Sequence, residues 1–252
     1  MNIKDNIVLI TGGATGIGLS LVKEFLDAGN EVLICGRRKD KLDEAKSMFP
    51  KIHTRQCDVS SEKDREDLFS WVEKDFPDLN ILVNNTGIQR MIDFRKGNNS
   101  VLVVDKEIAI NLEAPILLCS YFIPLLMKNK EAAIVNVTSG LGFIPIAAMP
   151  IYCATKAAMH SFTLSIRKQL MDTSIKVFEI IPPTVDTDLD KGERKKRGQT
   201  YFGISPDEAA KDAFAAIRDD KFEFAIGEAE NLKNGSKQNP EEIFDRMNKS
   251  FK

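Results

Sequence analysis

Five short apolar runs recur along the chain with helical patterns between them: NIVLI (6–10), EVLIC (31–35), LNILVN (79–84), AAIVNV (132–137) and IKVFEII (175–181). Several are Val/Ile-rich without polar alternation, as parallel strands covered on both faces are. Residues 51–57 and FEFAIG (222–227) read as two more strands. Between the runs, Leu68, Val72 and Phe76 recur every four positions within 61–76, an amphipathic helix that Ser60 or Ser61 can cap. Segment 39–49 reads as a helix, and Ser205-Pro206 opens another over 205–219. The alternation predicts an α/β fold: a doubly wound, seven-stranded parallel sheet flanked by helices, with right-handed crossovers. A chain of 252 residues suits one such domain. We place it at 1–233, including a mobile lid over 188–204, and read 234–252 as a polar, partly mobile tail.

Composition excludes several functions. A net charge of −2 makes no case for binding nucleic acid or an anionic membrane. The apolar run near the N-terminus is too short for a signal peptide. The longest apolar stretch, APILLCSYFIPLLM (114–127), is broken by Pro124 and reads as a buried or interface helix. Cys35, Cys57, Cys119 and Cys153 form no CxxC pair and read as free thiols of a cytoplasmic protein. His53 and His160 share no motif, so no histidine metal site is expected, nor a Ser-His-Asp triad.

Ligands of doubly wound sheets bind beyond the carboxyl ends of the strands, so the residues after each run carry the functional reading. After the first comes TGGATGIG, with Gly12, Gly16 and Gly18: a strand, glycines, then a helix, which is a cradle for phosphate. The spacing is G-x-x-x-G-x-G, not the usual dinucleotide G-x-G-x-x-G. After the second comes Gly36, where an acidic residue for a ribose 2′-hydroxyl is expected, and then Arg37 and Arg38, which suit a 2′-phosphate. Cations at a helix start oppose the dipole, which argues for another purpose. Lys39 and Lys41 read as solvated helix residues. After the third stand Asp58 and Val59, after the fourth NNTG (84–87), and after the fifth Thr138 and Ser139. Tyr152 and Lys156, in YCATK, lie one turn apart on a predicted helix. Alone, such a pair is as readily a surface pair.

Taken in order, TGGATGIG, CDV, NNTG, Asn111 in INL, Ser139, YCATK and PPTVDT (182–187) resemble the short-chain dehydrogenase/reductase family over about residues 5 to 230. The resemblance implies a Rossmann fold, a nicotinamide cofactor and a catalytic set of Asn111, Ser139, Tyr152 and Lys156. It implies cofactor contacts from Gly12, Thr15, Gly16, Ile17, Gly18, Arg37, Arg38, Asp58, Val59, Asn85, Gly87, Tyr152, Lys156, Pro182, Val185 and Thr187. Arg37 resembles the NADP-preferring members, so NADP(H) is expected over NAD(H). CGRRKDKL, NNTGIQR and PPTVDTD also resemble a bacterial subgroup associated with teichoic-acid D-alanylation. Three departures stand out: Pro183 where the family often has Gly, Thr86 for the commoner Ala, and Thr15 where some members carry a second basic residue.

The chemistry these residues can perform follows from electrostatics. Lowering a tyrosine from a pKa of about 10 by three units takes about 4 kcal/mol. One ammonium at ~4 Å, with an effective dielectric of ~20, supplies about that much. Lys156 is expected to do this for Tyr152, which would serve as general acid or base on a carbonyl or alcohol, with Ser139 steadying the reacting oxygen. Asn111 resembles the family residue that anchors a water of the proton relay. In GLGFIPIAAMP (140–150), Phe143, Ile144, Ile146 and Met149 serve either as lining of an apolar substrate pocket or as core. The run GERKKRG (192–198) reads as a solvated loop. Helices near 105–128 and 150–171 resemble the family's oligomer interface, so a homodimer or homotetramer is expected. The rival readings are a catalytically silent cofactor-binding regulator, which the intact catalytic set opposes, and a nucleotide-sugar enzyme, which would need a larger C-terminal region.

Overall fold

The computed structural model describes residues 1–97, 104–189, 198 and 203–251. Its seven strands are β1 (Ile7–Thr11), β2 (Glu31–Gly36), β3 (His53–Gln56), β4 (Ile81–Asn84), β5 (Ala132–Val137), β6 (Ile175–Ile181) and β7 (Glu223–Ala225). All pair in parallel, in the order β3-β2-β1-β4-β5-β6-β7. This is the expected sheet, with the outer strands β3 and β7 shorter than the runs that predict them.

The five inner strands lack polar alternation because helices cover both faces. Val8 and Ile10 of β1 pack into one layer with Leu21 and Phe25 of α1 (Gly16–Asp27) and Phe214 of α7 (Pro206–Arg218). Leu9 points the other way, to Leu68 and Val72 of α3 (Glu62–Asp75) and to Phe122 of α5 (Ala114–Leu126). The order in which strands are laid down reverses between β1 and β4, which opens a crevice beyond their carboxyl ends.

Local signals set the helix starts. Ser61, not Ser60, caps α3, its hydroxyl accepting from the Asp64 amide at 3.3 Å. Ser205 caps α7 by accepting from the Glu208 amide at 3.1 Å. Helix α2 (Lys39–Met48) follows β2, and α6 (Pro150–Gln169) precedes β6. Helix α4 (Val104–Ile108) runs through a π-helical turn, Ala109–Glu113, into α5. The stretch Lys106–Leu126 is therefore 21 residues long, sufficient by length and composition to cross a membrane. In this fold it is a core helix: Leu118, Cys119, Phe122 and Leu125 pack against the sheet and α3.

The C-terminal region departs from the expected tail. Helix α8 (Glu228–Gln238) runs through the break expected at residue 234, and α9 (Pro240–Asn248) folds back on it. Gly235 faces α9 there, and a Cβ on it would displace the end of the Ile243 side chain. Asn248 then latches α9 to the loop before α6, accepting from the Ala147 amide and donating to the Pro145 carbonyl at 3.3 Å. The apolar residues of α9 form a stripe among charges, so its overall polarity disguised a packed element. Most of the expected lid 188–204, with its basic run 192–198 apart from Gly198, lies outside the described residues. The ends of that segment are held together: the Asp186 amide donates to the Ile204 carbonyl at 2.9 Å, and the Ile204 amide to that of Thr184 at 3.1 Å.

Candidate active site

The glycine turn after β1 forms the floor of a cleft of about 960 Å³. Gly12 and Gly16 adopt φ of +67° and +56°, which favour glycine. Thr15 is the N-cap of α1 but makes no side-chain cap bond, and the first turn carries no acid. The orphan amides of that turn thus face the cleft beside Gly12, Thr15, Gly16 and Ile17, an arrangement suited to an anion. Thr187 closes over the turn, its Cγ2 only 2.9 Å from where a Cβ on Gly16 would lie. Pro182, Pro183 and Val185 line the same wall. Gly18 does not reach the cleft. A Cβ there would collide with the Gly12 carbonyl, so it is a packing position. Asn85 secures the turn, its Nδ2 donating to the Thr11 and Gly12 carbonyls at 3.0 and 3.3 Å.

The basic end of the cleft is built at the β2–α2 junction. Arg37, Arg38 and Lys41 all line it, so Lys41 is more than a solvated helix residue, although it also pairs with Glu44 at 2.7 Å. Lys39 pairs with Asp43 on the outer face. Arg38 Nη2 donates to Thr15 Oγ1 at 3.3 Å, which ties the basic end to the glycine turn. Asp58 is not on the cleft wall, where Cys57 and Val59 stand instead. Its Oδ1 accepts from the Ser60 amide and hydroxyl at 3.0 and 2.7 Å, and its Oδ2 lies 3.9 Å from Arg37 Nη1. The Asx turn that starts α3 takes the carboxylate away from the cleft.

The catalytic candidates meet where β5, α6 and the π-helical turn converge. Ser139, at the end of β5, accepts from the Leu141 amide at 3.2 Å. Tyr152 and Lys156 lie one turn apart on α6, 6% and 5% exposed. Lys156 Nζ donates to the Val137 carbonyl at 2.9 Å and sits 5.7 Å over the Tyr152 ring. The Asn111 side chain grips the backbone of Ile88, accepting from its amide and donating to its carbonyl, both at 2.8 Å. A Cβ on Gly87 would lie 3.5 Å from Asn111 Oδ1 and 3.7 Å from Lys156 Nζ, so the two side chains converge on that glycine.

The charge states differ from the sequence expectation. Burial pushes Tyr152 up to about 12, the Ser139 hydroxyl opposing. Burial also pushes Lys156 down to about 8, with the Glu179 charge opposing. The chain's own groups therefore hold Tyr152 protonated rather than depressing it, because desolvation outweighs the Ser139 hydrogen bond.

Sequence reasoning missed Glu107, one turn before Asn111. It is fully buried, its Oε1 accepting from the Arg90 amide at 3.0 Å while Oε2 has no partner. Burial raises its pKa from 4.5 to about 7, the Arg90 hydrogen bond opposing. A pKa raised by folding means that the unfolded chain gives up the proton first. Glu107 therefore favours the fold below about pH 4.5, and that contribution is lost as pH rises to about 7. Glu107→Gln keeps an acceptor for Arg90 and removes the titration. It is expected to raise Tm relative to wild type at pH 8, by the equivalent of ~1–3 kcal/mol, and not at pH 4.5. Melting curves at both pH values check this, and equal shifts would refute it.

The apolar wall divides residues that composition had grouped. Leu141, Ile146 and Met149 face the cleft. Phe143 instead packs against the His160 ring at 4.6 Å, and Ile144 is buried core. Leu232 of α8 and Met247 of α9 complete the wall, with Arg90 and Arg246 at its rim. A dinucleotide suits the cofactor side of the cleft: uncapped helix amides, close approach at Gly12 and Gly16, and a buried Thr86 hydroxyl without a hydrogen-bond partner.

A switch-point cleft with serine, tyrosine and lysine at its head defines an NAD(P)-dependent oxidoreductase acting on CH–OH or C=O groups. The short chain dehydrogenase family model matches residues 6–198, and the chain belongs to that family. Within it the chain is similar to the Bacillus subtilis (strain 168) protein described as uncharacterized oxidoreductase DltE, 49% identical over 248 residues and covering 98% of each chain. In fold it is similar to a short chain dehydrogenase from Burkholderia cenocepacia J2315 in complex with NADP, with a TM-score of 0.84, 23% identity, and 98% and 99% of the two chains covered. A short chain dehydrogenase/reductase from Burkholderia phymatum in complex with NAD gives a TM-score of 0.84 at 19% identity, covering 98% and 97%.

Proposed function

We propose that this oxidoreductase prefers NADP(H) and reduces a carbonyl of predominantly apolar character, with Tyr152 as general acid. The observation that carries the reading is the buried Ser139–Tyr152–Lys156 group beside Gly87, with Tyr152 held protonated across the neutral range. The cofactor supplies the hydride. Tyr152 gives its hydroxyl proton to the carbonyl oxygen, and Ser139 donates a hydrogen bond to the same oxygen. Lys156, as an ammonium, favours the tyrosinate left behind and is close enough to Gly87 to hold a ribose hydroxyl. Asn111 fixes Ile88 and so the wall that orients the substrate. Leu141, Ile146, Met149 and Leu232 support an apolar substrate.

NADP preference rests on Arg37 and Arg38 beside Gly36, with Lys41 adding charge and, among the described residues, the nearby Asp58 carboxylate engaged by Ser60 off the cleft wall. Four buried free cysteines suit a reducing, cytoplasmic setting.

NADPH oxidation across a diverse carbonyl panel, with NADH in parallel, tests the function. At least one apolar carbonyl is expected to turn over with NADPH at the higher kcat/KM. Tight NADPH binding without turnover of any carbonyl would shift the reading to a catalytically silent regulator.

A further inference from the structure

Glu179 interrupts the apolar run of β6, IKVFEII, and its side chain is fully buried. An ionised carboxylate inside a protein is retained only with hydrogen bonds and compensating charge around it. Thr138 Oγ1 donates to Oε1 at 2.7 Å, and His160 Nδ1 lies 2.8 Å from Oε2. Both partners belong to catalytic elements. Thr138 immediately precedes Ser139, and His160 lies one turn beyond Lys156 on α6. The Thr138 amide also donates to the Ile180 carbonyl at 2.9 Å, so the end of β5 is clamped to β6 by backbone and side chain together.

The charged groups around this carboxylate come from three further elements. His160 and Arg167 face it from α6, Glu223 from β7, and Lys233 reaches in from α8 to pair with Glu223 at 2.6 Å. Ligand atoms of His160, Glu179 and Glu223 lie within 4.8 Å of one another, a spacing a metal ion could use. Lys233 and Arg167 already supply the positive charge to Glu223, and Thr138 and His160 occupy both oxygens of Glu179. The cluster is a hydrogen-bonded charge network.

We propose that Glu179 is a positioning residue for the catalytic site: its two hydrogen bonds fix Thr138, and through it Ser139, and tie the catalytic helix α6 at His160, one turn beyond Lys156, so that its carboxylate acts on that lysine. The proposal rests on the reductase reading for its kinetic consequence. The effect on Lys156 is a property of the fold alone. Burial drives Lys156 toward the neutral amine, and the Glu179 charge works against it. Without that charge, burial acts on Lys156 unopposed and the proton is held less tightly.

The test is an NMR titration of protein labelled at lysine Cε, with the Lys156 resonance assigned by its absence in K156R. Wild type is expected to titrate near 8. Glu179→Gln should lower the midpoint by about one unit or more, and Glu179→Asp, which keeps the charge, should restore most of it. If Glu179→Gln does not fold, Glu179→Met with His160→Leu replaces the buried pair by apolar side chains, an exchange proteins often accept, and carries the same expectation. An unchanged Lys156 midpoint overturns the proposal. In the kinetic arm, the loss of kcat in Glu179→Gln should grow as pH rises from about 6.5 to 8.5, with KM little altered. A purely structural lesion would depress kcat equally at every pH, and that result also overturns the proposal. The titration needs no substrate. A wild type without carbonyl turnover would therefore defeat the reductase reading and leave the Lys156 result to be judged alone.

Discussion

Tyr152→Phe is expected to lower carbonyl reduction by about 10²–10⁴-fold while NADPH affinity stays within a few-fold of wild type. The substitution removes one hydroxyl and keeps the ring, which packs with Met149 and Cys153. Cofactor affinity should survive because the glycine turn, the α1 amides and Arg37 and Arg38 lie at the other end of the cleft. Steady-state rates and an NADPH fluorescence titration separate the two effects. Retained turnover with any good substrate would remove Tyr152 from the mechanism. The pH profile adds a second reading. Because Tyr152 is held up to about 12, its own titration should not limit reduction near neutrality. A fall in rate near pH 8 would instead report loss of the proton on Lys156.

The second large effect is a reversal of cofactor preference. Wild type should be stabilised more by NADP than by NAD at equal concentration, since a ligand that binds only the folded state stabilises by RT ln(1 + [L]/Kd). Gly36→Asp with Arg37→Ser is expected to invert that order, changing the ratio of the two affinities by about 100-fold, or ~2.7 kcal/mol. The structure has room for the carboxylate, because a Cβ on Gly36 meets only Leu42 Cδ2, at 3.9 Å. Losing Arg37 should cost little stability, since its pair with Asp58 spans 3.9 Å and both side chains are more than a third exposed. Arg38 and Lys41 remain on the cleft wall, so some affinity for NADP should persist. Differential scanning fluorimetry with both cofactors checks the order, and a wild type that prefers NAD would refute the role given to Arg37.

Much of the fold was readable because its strands are buried on both faces and so stand out as unbroken apolar runs. The helices at the C-terminus were not, because α9 hides one stripe of Ile243 and Met247 among charges. In the site, the turn of helix separating Tyr152 from Lys156 places both on one face wherever that helix lies. Apolarity alone could not divide 140–150, since Ile146 and Phe143 are equally hydrophobic and only packing decides which of them meets the cleft. Glu107, next to Asp105 and Lys106 in VDKEI, left no signal, whereas Glu179 left one, a lone carboxylate inside an apolar strand. Their partners come from Arg90, 17 residues earlier, and from Thr138, 41 residues earlier.

Taken by itself, then, the order of residues determined the parallel sheet, the glycine turn at its first strand and the side chains available for proton transfer. These follow from periodicity and spacing along the chain, which are local properties. The tertiary structure decided the charge on those side chains and the walls around them. Tyr152 and Lys156 are moved in opposite directions by the same burial, and the Glu179 charge that opposes it for Lys156 arrives from another strand. Desolvation and Coulomb interactions depend on distance in space, and folding is what sets that distance.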